Sequence, residues 1–147
     1  MFASGSLIPI YAANSPNACS KWFWLPSRHF NPTDFELLKG CPHDAVYHRM
    51  TVIGDHPETK LFSKAQYRMI RNHTIDSTWQ LFELKFNVNK VATRLYLYRN
   101  CQDTESTAKF SHHIVVLMAG KAKGNDAEQD YSQAERIMRR FLNSANN

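Results

Sequence analysis

No apolar run in this 147-residue chain approaches the roughly 20 residues that a membrane helix needs. The segment before Cys19 has a short apolar patch, but no Lys or Arg precedes it and Pro9 interrupts it, which makes a poor secretory signal. Cysteine is sparse. Cys19, Cys41 and Cys101 are odd in number and widely spaced, which excludes a disulfide scaffold and fits reduced thiols in a cytoplasmic setting. There is no internal repeat and no low-complexity tract. GxSxG, HExxH, P-loop and GxGxxG patterns are all missing, so none of the common catalytic or nucleotide-binding frames is offered.

What the chain does have is an ordinary globular balance, 43% hydrophobic and 21% charged residues, which argues against wholesale disorder. Its length suits one domain, residues 1–147, with a proper core. The net charge of +5 is unevenly placed. Lys60, Lys64, Arg68, Arg71, Lys85, Lys90, Arg94 and Arg99 face only Asp76 and Glu83 over that stretch, a local +6, so the remainder sums to −1. An acidic partner could use such a segment.

Periodicity gives most of the architecture. Residues 1–32 read as irregular, with four prolines and the aromatic triplet Trp22, Phe23 and Trp24. Three consecutive aromatics cannot share one face of a strand, so at least one should point away from the core. Thr33 to Lys39 suits a short helix capped by Thr33 with Glu36 three residues on. Ala45 to Ile53 suits a strand and Gly54 to Glu58 a turn. Lys60 to Arg71 is expected as a strand, with residues 71–78 connecting it to the next.

Trp79 to Asn100 reads as a hairpin about an Asn89-Lys90 turn. Val88 then faces Val91, Phe86 faces Thr93, Leu84 faces Leu95 and Phe82 faces Leu97, all on one apolar side. The other side carries Leu81 against Tyr98, Glu83 against Tyr96 and Lys85 against Arg94. A slip of one residue would mix the two sides, so the pattern specifies its register. Phe110 to Gly120 is a further strand, apolar on both faces from Ile114 to Met118 as a central strand should be. Residues 125–143 form an amphipathic helix, capped by Asn125 or Asp126. Its stripe is Tyr131, Ala134, Ile137, Met138, Phe141 and Leu142, with Arg139 and Arg140 expected in its last turn. The fold expected is α+β: four or five largely antiparallel strands, with the C-terminal helix across the hairpin's apolar side.

Candidate chemistry is thin. His112 and His113 are adjacent on a strand and point to opposite faces, so they cannot chelate one metal together. Cys41, His43 and Asp44 lie within one short stretch, and Cys19 could join them as ligands, but no CxxC or HxxxH spacing supports a metal. His48, or His73 with Asp76, could serve as a general base. No catalytic residue, metal or cofactor is assigned. The stronger signal is the hairpin's second side, where Tyr96 and Tyr98 sit beside Lys85 and Arg94, with Arg68 and Arg71 nearby and Arg99 at the strand end opposite Trp79. Tyr and Arg populate protein-interface hot spots, and aromatics interleaved with bases also grip single-stranded nucleic acid. Lys85 opposite Arg94 is repulsive unless an acid or a bound anion lies between them. The expectation is a small non-enzymatic binding or adaptor domain that contacts a protein partner through Arg68, Arg71, Lys85, Arg94, Tyr96 and Tyr98. Single-stranded nucleic-acid binding by the same side comes second, and a His- or Cys-based enzyme third. A rival fate for that side is cover by the chain itself, for instance by the Trp22–Trp24 segment.

Overall fold

The computed structural model describes residues 7–9, 22–28, 66–88, 91–100, 113–120 and 127–145. Its strands are β1 (Ile8–Pro9), β2 (Trp22–Trp24), β3 (Tyr67–Ile75), β4 (Trp79–Val88), β5 (Val91–Asn100) and β6 (His113–Gly120). One helix, α1 (Ala127–Ala145), closes the described chain. The strands form a single sheet in the order β1-β2-β6-β5-β4-β3, in which β1 is a two-residue edge and every pairing is antiparallel except β2 with β6. This is the expected α+β class, a largely antiparallel sheet with the C-terminal helix packed on it. The expected helix at 33–39, strand at 45–53, turns at 54–58 and 89–90, and all three cysteines lie outside the described residues.

The hairpin register is the one its alternation dictates. Val88 pairs with Val91, Phe86 with Thr93, Leu84 with Leu95, Phe82 with Leu97, Glu83 with Tyr96, and Lys85 with Arg94. Trp79 faces Asn100, and Gln80 faces Arg99, so Arg99 is not opposite Trp79. β6 takes its place between β5 and β2, and Ile114 through Leu117 are buried as a central strand requires. A register shift against β5 falls between Tyr96 and Leu97, and both Val116 and Leu117 reach the core under the helix because of it.

Two sequence boundaries are corrected. Residues 71–75 are not a connection: β3 runs through them to Ile75, and the turn to β4 spans Asp76 to Thr78, with Asp76 and Ser77 at its centre. Both have positive φ (54° and 56°), and the Thr78 N–H donates to the Ile75 carbonyl at 2.9 Å, the arrangement a tight hairpin turn needs. β3 stays paired through an irregularity between Ile70 and Ile75, where Asn72 sits at φ 71°. Asn tolerates that conformation better than most residues. The extra length changes the strand's parity, so Ile70, His73 and Ile75 are all buried, a spacing that strict alternation forbids. The N-terminal stretch, expected as irregular, contributes β1 and β2. Trp22 and Trp24 are buried, Phe23 is half-buried, and Trp22 stacks on His113 at 4.7 Å.

The largest correction concerns which side the helix covers. Its stripe of Tyr131, Ala134, Ile137, Met138 and Phe141 packs on Ile70, Ile75, Leu81, Tyr96, Tyr98, Ile114 and Val116. That is the mixed side of the hairpin, not the side of Phe82, Leu84 and Leu97. The physical reason lies in the tyrosines, whose rings give apolar area while their hydroxyls find partners at the interface. The fully apolar side is buried too, including Phe82, Leu84, Phe86, Leu95 and Leu97, so both faces of the sheet are core. Burying Ile137, Met138 and Phe141 favours docking by about 1.5–3 kcal/mol each. The helix also runs on to Ala145, which leaves no base in its last turn and places Arg139 and Arg140 inside it.

Ala134 has no exposed surface in this interface. Ala134→Leu is expected to lower stability by about 1–3 kcal/mol through overpacking, as measured by urea unfolding. An unchanged midpoint would mean that the helix does not dock through this stripe.

Candidate functional site

The mixed face gathers its polar groups at two places. The first centres on Glu83, in the middle of β4 and only 1% exposed. Arg68 lies across from it on β3, Tyr96 across on β5, and Lys85 two residues along the same face. Period-two alternation alone thus brings three elements' side chains to one carboxylate. Glu83 Oε1 is ion-paired with Lys85 Nζ at 3.3 Å, Arg68 Nε at 3.5 Å and Arg94 Nε at 3.8 Å. From the helix, the Tyr131 hydroxyl donates to Glu83 Oε2 at 3.1 Å and accepts from Arg68 Nη2 at 2.8 Å. Burial pushes the Tyr131 hydroxyl above its ordinary value, and the adjacent Glu83 charge pushes it further. Glu83 is therefore the acid that relieves the Lys85–Arg94 repulsion. Three cations share it, and each keeps part of its side chain in solvent, at 43% exposure for Arg68, 30% for Lys85 and 20% for Arg94.

The second place centres on His73, which the β3 irregularity turns under the helix. Its Nδ1 lies 2.9 Å from Glu135 Oε1 and its Nε2 lies 2.8 Å from Glu128 Oε1. A neutral imidazole has one N–H and can donate to only one of these carboxylates, whereas the imidazolium donates to both. Glu135 also accepts from Arg139 at 2.8 Å. Burial pushes the Glu135 carboxyl up, but the hydrogen bonds from Arg139 and His73 outweigh it and hold the group below its ordinary value. The Tyr98 hydroxyl donates to the His73 carbonyl at 2.9 Å, and the Tyr96 hydroxyl donates to Asp130 at 3.2 Å. Burial holds both hydroxyls well above the usual tyrosine range. Nearby carboxylates add to it, Asp130 and Glu83 at Tyr96 and Glu135 at Tyr98.

Of the six residues expected to meet a partner, five lie on this face. Tyr96 and Tyr98 have no exposed surface, and the cover is the chain's own C-terminal helix rather than the Trp22–Trp24 segment. Arg68, Lys85 and Arg94 form a partly exposed rim. Arg71 is exposed on β3 and stands apart from the Glu83 cluster. His73 takes its carboxylate partners from the helix, not from Asp76, which is exposed at the turn. His113 is the inward member of its pair, and His112 lies outside the described residues with Cys19, Cys41, Cys101, His43, Asp44 and His48. Among the described residues no group of His, Cys, Asp or Glu could hold a metal. Sequence reading missed Glu83 as a hub, although a lone acid inside an apolar strand was its signal. It could not find His73 with Glu128 and Glu135, because only the Asn72 conformation brings them together. Comparisons with protein-family models, curated proteins and solved structures find no match to this chain.

Glu83→Gln removes the shared counter-charge of three cations and should cost about 3–5 kcal/mol in urea unfolding, the range for breaking a buried pair. A loss under about 1 kcal/mol, the surface-pair range, would show that the cluster is effectively solvated. Glu135 adds a pH signature. Its folded value lies below 4.5, so its contribution is complete above 4.5 and is lost as pH falls through that lowered value. The stability gap between wild type and Glu135→Gln should stay constant above about pH 5 and close below it in acid-series unfolding. A gap that widens in acid would reverse the assignment.

Proposed function

We propose that this chain is a small non-enzymatic binding domain that contacts an acidic protein partner through its basic rim. The contact residues are Arg68, Lys85 and Arg94, with the exposed Arg71 as a separate contact farther along β3. Tyr96 and Tyr98 act from beneath, by fixing the helix that frames the rim. The observation that carries this reading is the gathering of three partly exposed bases, Arg68, Lys85 and Arg94, at one edge of the helix-covered face. They converge on one buried carboxylate, yet their side chains stay partly in solvent, where an incoming acid can reach them. Exposed bases set association rate and partner choice more than raw affinity. Nucleic-acid binding is the weaker reading, since base stacking needs exposed rings and neither Tyr96 nor Tyr98 offers one. An enzyme built on His73 is weaker still, because both ring nitrogens face carboxylates of the chain's own helix.

Fluorescence anisotropy with a labelled oligoglutamate peptide tests the proposal directly. Wild-type protein should bind it in a salt-sensitive manner. Arg71→Gln with Lys85→Gln should weaken binding about threefold to tenfold, as expected for two exposed charge contacts. Unchanged affinity in a variant of unchanged melting temperature would remove the rim assignment. Tighter binding of an oligothymidine of equal charge would transfer the surface to nucleic acid.

A further inference from the structure

A cleft of about 440 Å³ opens on the same side of the sheet as the helix, away from the Glu83 cluster. One wall is Leu25 to Arg28, the stretch that follows β2, and the other is the second half of α1. Leu25 is fixed there by its N–H bond to the Val115 carbonyl at 2.9 Å, which extends the β2–β6 pairing. The floor is apolar and comprises Leu25, Ile137 and Phe141. The rim is cationic: Arg28 on the strand side, and Arg136 and Arg140 on the helix, one turn apart and therefore on one face. Pro26, Ser27, Gln133 and Ser144 complete the lining, and among the described residues no acid contributes to it. Arg136 donates to the neutral amide of Gln133, so its charge is not cancelled there. Among the described residues neither Arg136 nor Arg140 is ion-paired.

We propose that this cleft binds a small amphipathic anion, a free molecule with one carboxylate or sulfonate head on an apolar body. The volume falls in the roughly 300–1,000 Å³ range of small-molecule sites. Apolar floor and polar rim divide the ligand's two ends, the body on Ile137 and Phe141 and the head at the guanidiniums, which bind carboxylates in a two-pronged geometry. One opposing effect can be sized. The helix C-terminus carries about half a negative charge, and the two full positive charges of Arg136 and Arg140 outweigh it. A cleft meant for a neutral apolar ligand would have no use for three arginines at its mouth, and one meant for a polyanion would not need a buried aromatic floor. The site shares no residue with the basic rim, so it stands or falls separately from the protein-binding proposal.

The full-length protein titrated with anilinonaphthalene sulfonate, an aromatic anion that fluoresces in apolar sites, tests this. Saturable one-to-one binding is expected, displaced by decanoate and not by decanol. Arg136→Gln with Arg140→Gln should weaken it on the order of tenfold or more, as two charge-assisted contacts would give. Ser144→Trp, which fills the mouth from an exposed position, should abolish it. Both variants should keep the wild-type melting temperature. The proposal is overturned if the probe does not bind, if decanol displaces it as well as decanoate does, or if the double arginine variant binds with unchanged affinity. Binding to anionic lipid vesicles without binding to free decanoate would also overturn it, in favour of a membrane-surface contact.

Discussion

Glu83 sits in the middle of β4 with almost no contact with water, and a buried carboxylate must replace its lost hydration with partners. Those partners come from every element around it. Arg68 reaches from β3, Lys85 lies along β4, Arg94 reaches from β5, and Tyr131 comes down from the helix. The cluster therefore fixes strand register and helix position together. A slip of one residue in either neighbouring strand would carry Arg68 or Arg94 to the opposite face and leave the carboxylate without them. The repulsion between Lys85 and Arg94 becomes tolerable only because Glu83 lies between them.

The helix is held by polar contacts at its first half and by packing throughout. His73 bridges Glu128 and Glu135, which lie seven residues apart on one face of α1, and Tyr96 reaches Asp130 between them. These contacts explain why the helix lies on the tyrosine side. On that side Tyr131 meets Glu83 and Arg68, Asp130 meets Tyr96, and Glu128 and Glu135 meet His73. Hydrogen-bonded tyrosines give both apolar burial and a specific docking position. The basic rim and the arginine-edged cleft follow from the same placement, because α1 frames both.

Much of this was legible in the chain, and the legible part is local. The alternation from Trp79 to Asn100 gave each cross-strand pair of the hairpin, and the 3.6-residue stripe gave the helix face from Tyr131 to Phe141. Lys85 beside Arg94 signalled that an acid was needed. The choice of sheet face was not legible, since ranking faces by apolarity treats tyrosine as a surface residue. In a sheet buried on both sides that criterion has no force. The β3 extension was hidden for a different reason. Residues 71–74 are polar, and only Asn72 in a left-handed conformation keeps them in the sheet with His73 turned inward.

The sequence by itself determined the hairpin's register, the central strand, the helix and the α+β class, because each follows from the spacing of apolar residues within a single element. It also determined the local excess of positive charge. Only the tertiary structure decided where that charge resides and what the tyrosines do. Helix–sheet docking depends on contacts between residues about 30 to 60 positions apart, such as Tyr96 with Asp130 and His73 with Glu135. No periodicity encodes these, since they arise from the fit between two finished surfaces. The same docking formed the cleft below Arg136 and Arg140, by bringing the end of β2 against the second half of the helix.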